Sequence, residues 1–191
     1  MVPERERAFQ VIEWLNAHRL LPPGWRFEGT GWDRSHHSKP ARLTPQQAID
    51  GGIDHPGDCD IAVFIFWKRI GTPLVPDSFE PNGAGPDPTG SSWELHNALE
   101  SPGTPRVLVY HCDREPAPGP GDYADIEAYA RQLKGLQDFL SGFKDPQGRW
   151  LGSYCTFSDL DGFAQHLEQD LSQYLTAQIA PGDAAGPARE I

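Results

Sequence analysis

The strongest constraint in this chain is an unbroken apolar run, Ile61-Ala62-Val63-Phe64-Ile65-Phe66-Trp67. Its β-branched and aromatic residues favour a strand. The absence of any polar alternation means that neither face is built for water, the pattern of a strand in a parallel sheet covered by helices. A second run of the same kind, Val107-Leu108-Val109-Tyr110, lies within residues 106–111. Two buried strands with a helical segment between them read as a βαβ unit.

Residues 4–18 place Ala8, Val11, Ile12 and Leu15 at helical spacing, and Pro22-Pro23-Gly24 stops that helix. Residues 25–32 carry Trp25 and Phe27 followed by Gly29 and Gly31, which predicts a weak strand. Thr44-Pro45-Gln46-Gln47 reads as an N-cap with proline at the first helical position, opening a short helix to about Gly51. Residues 71–90 form a long loop rich in Gly, Pro and Asp, and 91–100 a short helix. Residues 123–143 read as one long amphipathic helix through Ile126, Tyr129, Ala130, Leu133, Leu136, Phe139 and Leu140. Residues 150–157 are expected to be a strand, and 158–179 a final helix capped by Ser158. This alternation predicts an α/β domain over residues 1–180, a doubly wound, mostly parallel sheet with helices on both faces. Residues 181–191 read as a flexible tail or linker.

Composition removes several function classes. A formal net charge of -11 offers no basic face for phosphate neutralisation, so no nucleic-acid partner is expected. The longest apolar run is about a third of the roughly 20 residues that span a bilayer, so no membrane partner is expected. The opening Met1-Val2-Pro3-Glu4-Arg5-Glu6-Arg7 lacks the apolar core of a secretory signal, and the expected location is cytoplasmic. Cys59, Cys112 and Cys155 share no close spacing and read as buried free thiols. The pair His36-His37 has no partner at metal-ligand spacing, and no metal is expected.

An open parallel sheet binds ligands at the carboxyl ends of its strands. Two segments reach that edge: Trp67-Lys68-Arg69-Ile70-Gly71-Thr72-Pro73, and Thr89-Gly90-Ser91-Ser92-Trp93-Glu94. Trp67 and Trp93 either pack into the fold or stack on a flat base. Arg69 is either a surface charge or a phosphate contact, and Gly71 either a plain turn residue or part of the crevice wall. Glu94 also has two readings. Ser91-x-x-Glu94 matches a capping box, in which the carboxylate ties down its own helix. Alternatively Glu94, about 100° from Leu95 at the border of the stripe Leu95, Ala98 and Leu99, faces the crevice with Ser91 and Ser92 beside it.

Residues 59–73, which contain Trp67-x-Arg69-x-Gly71-Thr72-Pro73, resemble the TIR-like N-terminal domains of STAND-type signalling ATPases with NACHT or WD-repeat partners. Ser91-x-x-Glu94, Thr44-Pro45-Gln46 and the segment 2–7 also look like that family, and the resemblance spans roughly residues 2–112. It implies a flavodoxin-like fold and a wider kinship with TIR domains and nucleoside deoxyribosyltransferase-like enzymes. It further implies that Glu94 cleaves NAD between nicotinamide and ribose, with NAD as substrate and no resident cofactor. It implies self-association on activation and a fused or partner ATPase module in a signalling or defence protein. Family members open with a strand before the Glu-Arg-Glu-Arg helix, so the first strand of the sheet is expected to be missing from this chain. Two other functions stay open, a non-catalytic oligomerisation or adaptor domain and a nucleoside-type N-glycosidase.

Overall fold

Both apolar runs are strands in the computed structural model, which describes residues 2–18, 21–31, 54–74, 88–103, 105–143, 147 and 152–179. β1 is Ile61–Phe66 and β2 is Arg106–Cys112. They run parallel, with Ala62 opposite Val107, Phe64 opposite Val109 and Phe66 opposite His111. β3, Cys155–Phe157, completes an all-parallel sheet in the order β1-β2-β3. The helices are α1 (Val2–Ala17), α2 (Gly90–Glu100), α3 (Pro120–Tyr123), α4 (Ile126–Ser141) and α5 (Leu160–Gln178). This is the α/β architecture expected from the two apolar strands.

Contacts group the chain into two compact units, Thr30–Cys155 and Met1–Gly29 with Thr156–Ile191, so the boundary falls inside β3. In the first unit, one face of the sheet (Ala62, Phe64, Phe66, Val109) packs against Leu95 and Ala98 of α2 and Leu136 and Leu140 of α4. Burying a Leu, Val or Phe side chain stabilises the fold by roughly 1.5–3 kcal/mol, and an Ala by less. On β2 the opposite face is buried too, at Leu108, Tyr110 and Cys112. β1 differs, because Val63 on that second face is 38% exposed. The uniform apolarity of β1 therefore exceeds the burial it receives among the described residues.

In the other unit, α1 packs on α5. Phe163, Leu167, Leu171 and Leu175 recur every fourth residue and form the buried stripe of α5, with Val11 and Leu15 buried on α1. Phe157 meets Phe163 with ring centroids 5.1 Å apart, and Arg7 pairs with Asp161 at 2.7 Å.

Four expectations need correction. Residues 25–31 form no strand. The backbone of Phe27 is instead paired both ways by one side chain, its N–H donating to Asn16 Oδ1 (2.9 Å) and its carbonyl accepting from Asn16 Nδ2 (2.8 Å). Gly29 and Gly31 add no side chains with which a strand face could pack. The single helix expected over 123–143 is two, because Asp125 turns out of helical geometry and accepts a hydrogen bond from Ala128 N–H (2.8 Å), opening α4 afresh. The final helix is capped by Asp159, which accepts from Gly162 N–H at 2.7 Å, and not by Ser158. Carboxylates cap at least as well as serine hydroxyls, and here they are the better placed. Of the three thiols, all free, only Cys112 is fully buried. The helix expected at residues 44–51, the pair His36-His37 and the tail 181–191 lie outside the described residues.

Candidate functional site

β1 ends at Phe66, and the chain leaves the sheet's carboxyl edge through Trp67, Lys68, Arg69, Ile70 and Gly71. Ile70 turns inward and is 9% exposed in the core. Gly71 has φ +107°, a conformation that disfavours any side chain. Its backbone is gripped by α4, since Gly71 N–H donates to Gln132 Oε1 (3.2 Å) and Gln132 Nε2 donates to the Gly71 carbonyl (2.9 Å).

The start of α2 lies directly beside this turn. A Cβ at Gly71 would sit 3.5 Å from Ser91 Oγ and 3.6 Å from Thr89 Cβ. Two further links fix the approach, a short antiparallel bridge between Pro73 and Thr89 and a hydrogen bond from Thr89 Oγ1 to the Ile70 carbonyl (3.0 Å). The two segments expected to share the crevice are thus brought together at Gly71 and Ser91.

Capping of α2 differs from the sequence pattern. The N-cap is Thr89, whose hydroxyl accepts from Ser92 N–H at 3.2 Å, while Ser92 Oγ accepts from Thr89 N–H at 2.9 Å. The reciprocal box is therefore Thr89 with Ser92, and Ser91 with Glu94 do not form it. Glu94 becomes the fifth residue of α2, half-buried and one turn beyond Ser91. The helix macrodipole acts mostly over the first turn, so it favours charge at Glu94 less than a place at the helix start would have done.

The remaining expected site residues divide into two groups. Ser92 and Trp93 are buried, the first in the cap and the second edge-on to His55 with ring centroids 5.7 Å apart. Both anchor α2 in the fold. Trp67 is half-buried; its indole N–H donates to the Arg114 carbonyl (3.0 Å), and its ring faces two cations, Arg114 at 5.0 Å and Lys68 at 5.2 Å. Arg69 is the most exposed of the set, with 59% of its side chain accessible.

Three residues that sequence reasoning did not single out complete the edge. Asp122 of α3 is buried and accepts from Lys68 Nζ (2.8 Å), from the Arg69 guanidinium and from Gly119 N–H (2.8 Å). Those donors, Lys68 foremost, hold its carboxyl well below the ordinary carboxylate range. Tyr129 of α4 donates its hydroxyl to the Pro116 carbonyl, and Gln132 holds Gly71 as described. Tyr129 and Gln132, together with Arg69, Gly71, Thr72, Gly121, Asp125 and Ala128, line a cleft of about 230 Å³. That is smaller than the ~300–1,000 Å³ of most small-molecule sites. Nearby, His111 at the end of β2 is held below its usual pKa by burial, opposed by Asp113 and by the backbone of Trp67. Cys59, before β1, has its thiol pushed up by burial and by Asp54, Asp58 and Asp60.

Among the described residues, no group of three or more His, Cys, Asp or Glu is placed to hold a metal ion. No described helix is long and apolar enough to cross a membrane. Compared with protein-family models, curated proteins and solved structures, the chain gives no match.

Proposed function

We propose that this chain is a TIR-like effector domain that hydrolyses NAD at the bond between nicotinamide and ribose, with Glu94 as the catalytic carboxylate. The observation that carries the reading is the cap of α2. Thr89 and Ser92 form the reciprocal cap, and Glu94 stands outside that pair, half-buried on a helix that starts against the carboxyl edge of β1. Sheet edges of this kind are where α/β folds place their ligands.

The reaction asks little of the protein. The C1′–N bond of NAD is cationic at nitrogen, so its electron pair leaves with nicotinamide as a neutral base and no general acid is needed. The developing oxocarbenium ion at C1′ is stabilised by an ionised carboxylate. Water then bonds to C1′, its proton passes through Glu94 to solvent, and the second product is ADP-ribose. In this reading Arg69 and Gly71 belong to the lining of the cleft, Ser91 approaches it at Gly71, and Ser92 and Trp93 hold the helix that carries Glu94.

An assembly role without catalysis is the second reading. Tyr123 and Ile126, 68% and 49% exposed at the α3–α4 junction beside the cleft, favour it. One assay separates the two. Protein clustered on a multivalent scaffold is incubated with NAD and nicotinamide release is followed, with Glu94→Ala and Glu94→Gln as controls. Release that both substitutions abolish supports the hydrolase. Release that survives Glu94→Ala refutes the assignment of Glu94, and no release from clustered wild-type protein favours the assembly role.

A further inference from the structure

We infer that Asp122 is a positioning residue that presents Arg69 to the cleft as the contact for a phosphoryl group of the nucleotide; this rests on the nucleotide reading above. Asp122 is the most heavily bonded carboxylate described at the sheet's carboxyl edge. Only 5% of its side chain is accessible, and it receives Lys68, Arg69 and the Gly119 N–H together. A carboxylate with that many donors stays ionised and holds its partners in fixed geometry. Two cations meet one buried anion here, and Asp125, the carboxylate of the cleft lining, pairs with neither of them.

Arg69 is the member of this cluster that lines the cleft. A guanidinium has five N–H donors in a rigid fork. Among the described residues only Asp122 takes any of them, at one terminal nitrogen. Two other polar side chains of the wall are already committed, Tyr129 to the Pro116 carbonyl and both ends of the Gln132 amide to Gly71. Arg69 is thus the cation of this wall and has donors to spare, and forked donors match phosphoryl oxygens. Asp125 adds a carboxylate to the same wall, with one oxygen bonded to Ala128 N–H. An acceptor there suits sugar hydroxyls. The combination fits a ribose phosphate, entered with its phosphoryl end at Arg69.

The test uses ADP-ribose, which lacks the bond to nicotinamide and so binds without being consumed, against ribose as the phosphate-free probe. Affinities are measured by calorimetry, and the Arg69 Nε–Hε resonance is followed by NMR. The wild-type chain is expected to bind ADP-ribose in preference to ribose and to shift the Arg69 resonance. Arg69→Gln is expected to weaken ADP-ribose about tenfold or more, as the loss of a charge-assisted hydrogen bond implies. Asp122→Asn is expected to weaken it several-fold and to average the Arg69 signal before ligand is added, with Asp122→Glu restoring part of the affinity. A purely structural Asp122 would lower thermal stability and leave ADP-ribose affinity unchanged, which overturns its role. Should Asp122→Asn fail to fold, the exposed Arg69→Gln carries the test alone, and an affinity within about twofold of wild type overturns the inference. The same holds if wild-type protein does not bind ADP-ribose. NAD cleavage with an unchanged KM in Arg69→Gln removes this inference and keeps the hydrolase. ADP-ribose bound through Arg69 by a protein that never cleaves NAD keeps this inference and removes the hydrolase.

Discussion

Replacing Thr89 by alanine separates the cap seen in the structure from the one the sequence suggests. The hydroxyl makes two bonds that matter, accepting from Ser92 N–H at 3.2 Å and donating to the Ile70 carbonyl at 3.0 Å. Loss of an N-cap costs about 1 kcal/mol, with a range of ~0.5–2. The Ile70 carbonyl loses a donor in a buried setting, which costs ~1 kcal/mol more in net terms. The total is ~2 kcal/mol, and at ~2–4 °C per kcal/mol for a chain of this size the melting temperature should fall by ~4–8 °C. Thr89→Ser keeps both bonds and should stay within ~0.5 kcal/mol of wild type. Ser91→Ala and Glu94→Ala, which do not touch the cap, should each cost less than ~1 kcal/mol. Calorimetry gives the stabilities, and hydrogen exchange at Ser92 and Trp93 should accelerate in Thr89→Ala only. The reasoning is refuted if Glu94→Ala destabilises as much as Thr89→Ala, because the carboxylate would then be the capping group after all.

Two further outcomes follow from the same edge. Gly71→Ala should destabilise by ~1–2 kcal/mol although its new methyl meets neighbours no closer than 3.5 Å, because the cost lies in the backbone at φ +107°; urea denaturation checks it, and a neutral result would mean that the turn relaxes. The Asp122 carboxyl is held below its ordinary 3.8 in the folded chain, so between the two values the unfolded chain takes up the proton first. Its stabilising effect is then complete above about pH 4 and declines as acid is added, and Asp122→Asn should flatten that part of a stability-versus-pH curve measured by chemical denaturation.

The sheet was legible because its cause is local. Seven consecutive apolar residues at β1 can be satisfied in few ways, and the same holds for Val107 to Tyr110. The start of α2 was legible to within two residues, and its cap was not. Thr89, Ser91 and Ser92 are all capable N-caps, and Glu94 completes the commoner spacing for Ser91. What favours Thr89 is a carbonyl 19 residues earlier, at Ile70, that accepts its proton. Asp122 was hidden for the same reason, since Lys68 and Arg69 lie 54 and 53 residues away and it follows a Pro/Gly loop with no periodicity. Gln132 sits in a helix whose apolar stripe was plain, but a stripe says nothing about what the polar positions hold. The break at Asp125 was missed because the apolar repeat carries on across it through Ile126, which the structure leaves 49% exposed.

Gln132 does more than decorate that helix. With one acceptor and one donor on a planar amide, it offers the Gly71 backbone what a neighbouring strand would have offered, a rung of ladder made by a side chain where the sheet has run out. The floor of the cleft is stitched to its wall across 61 residues of sequence. A ligand bound there would meet a mould already cast, and its binding strength would not be spent on shaping one.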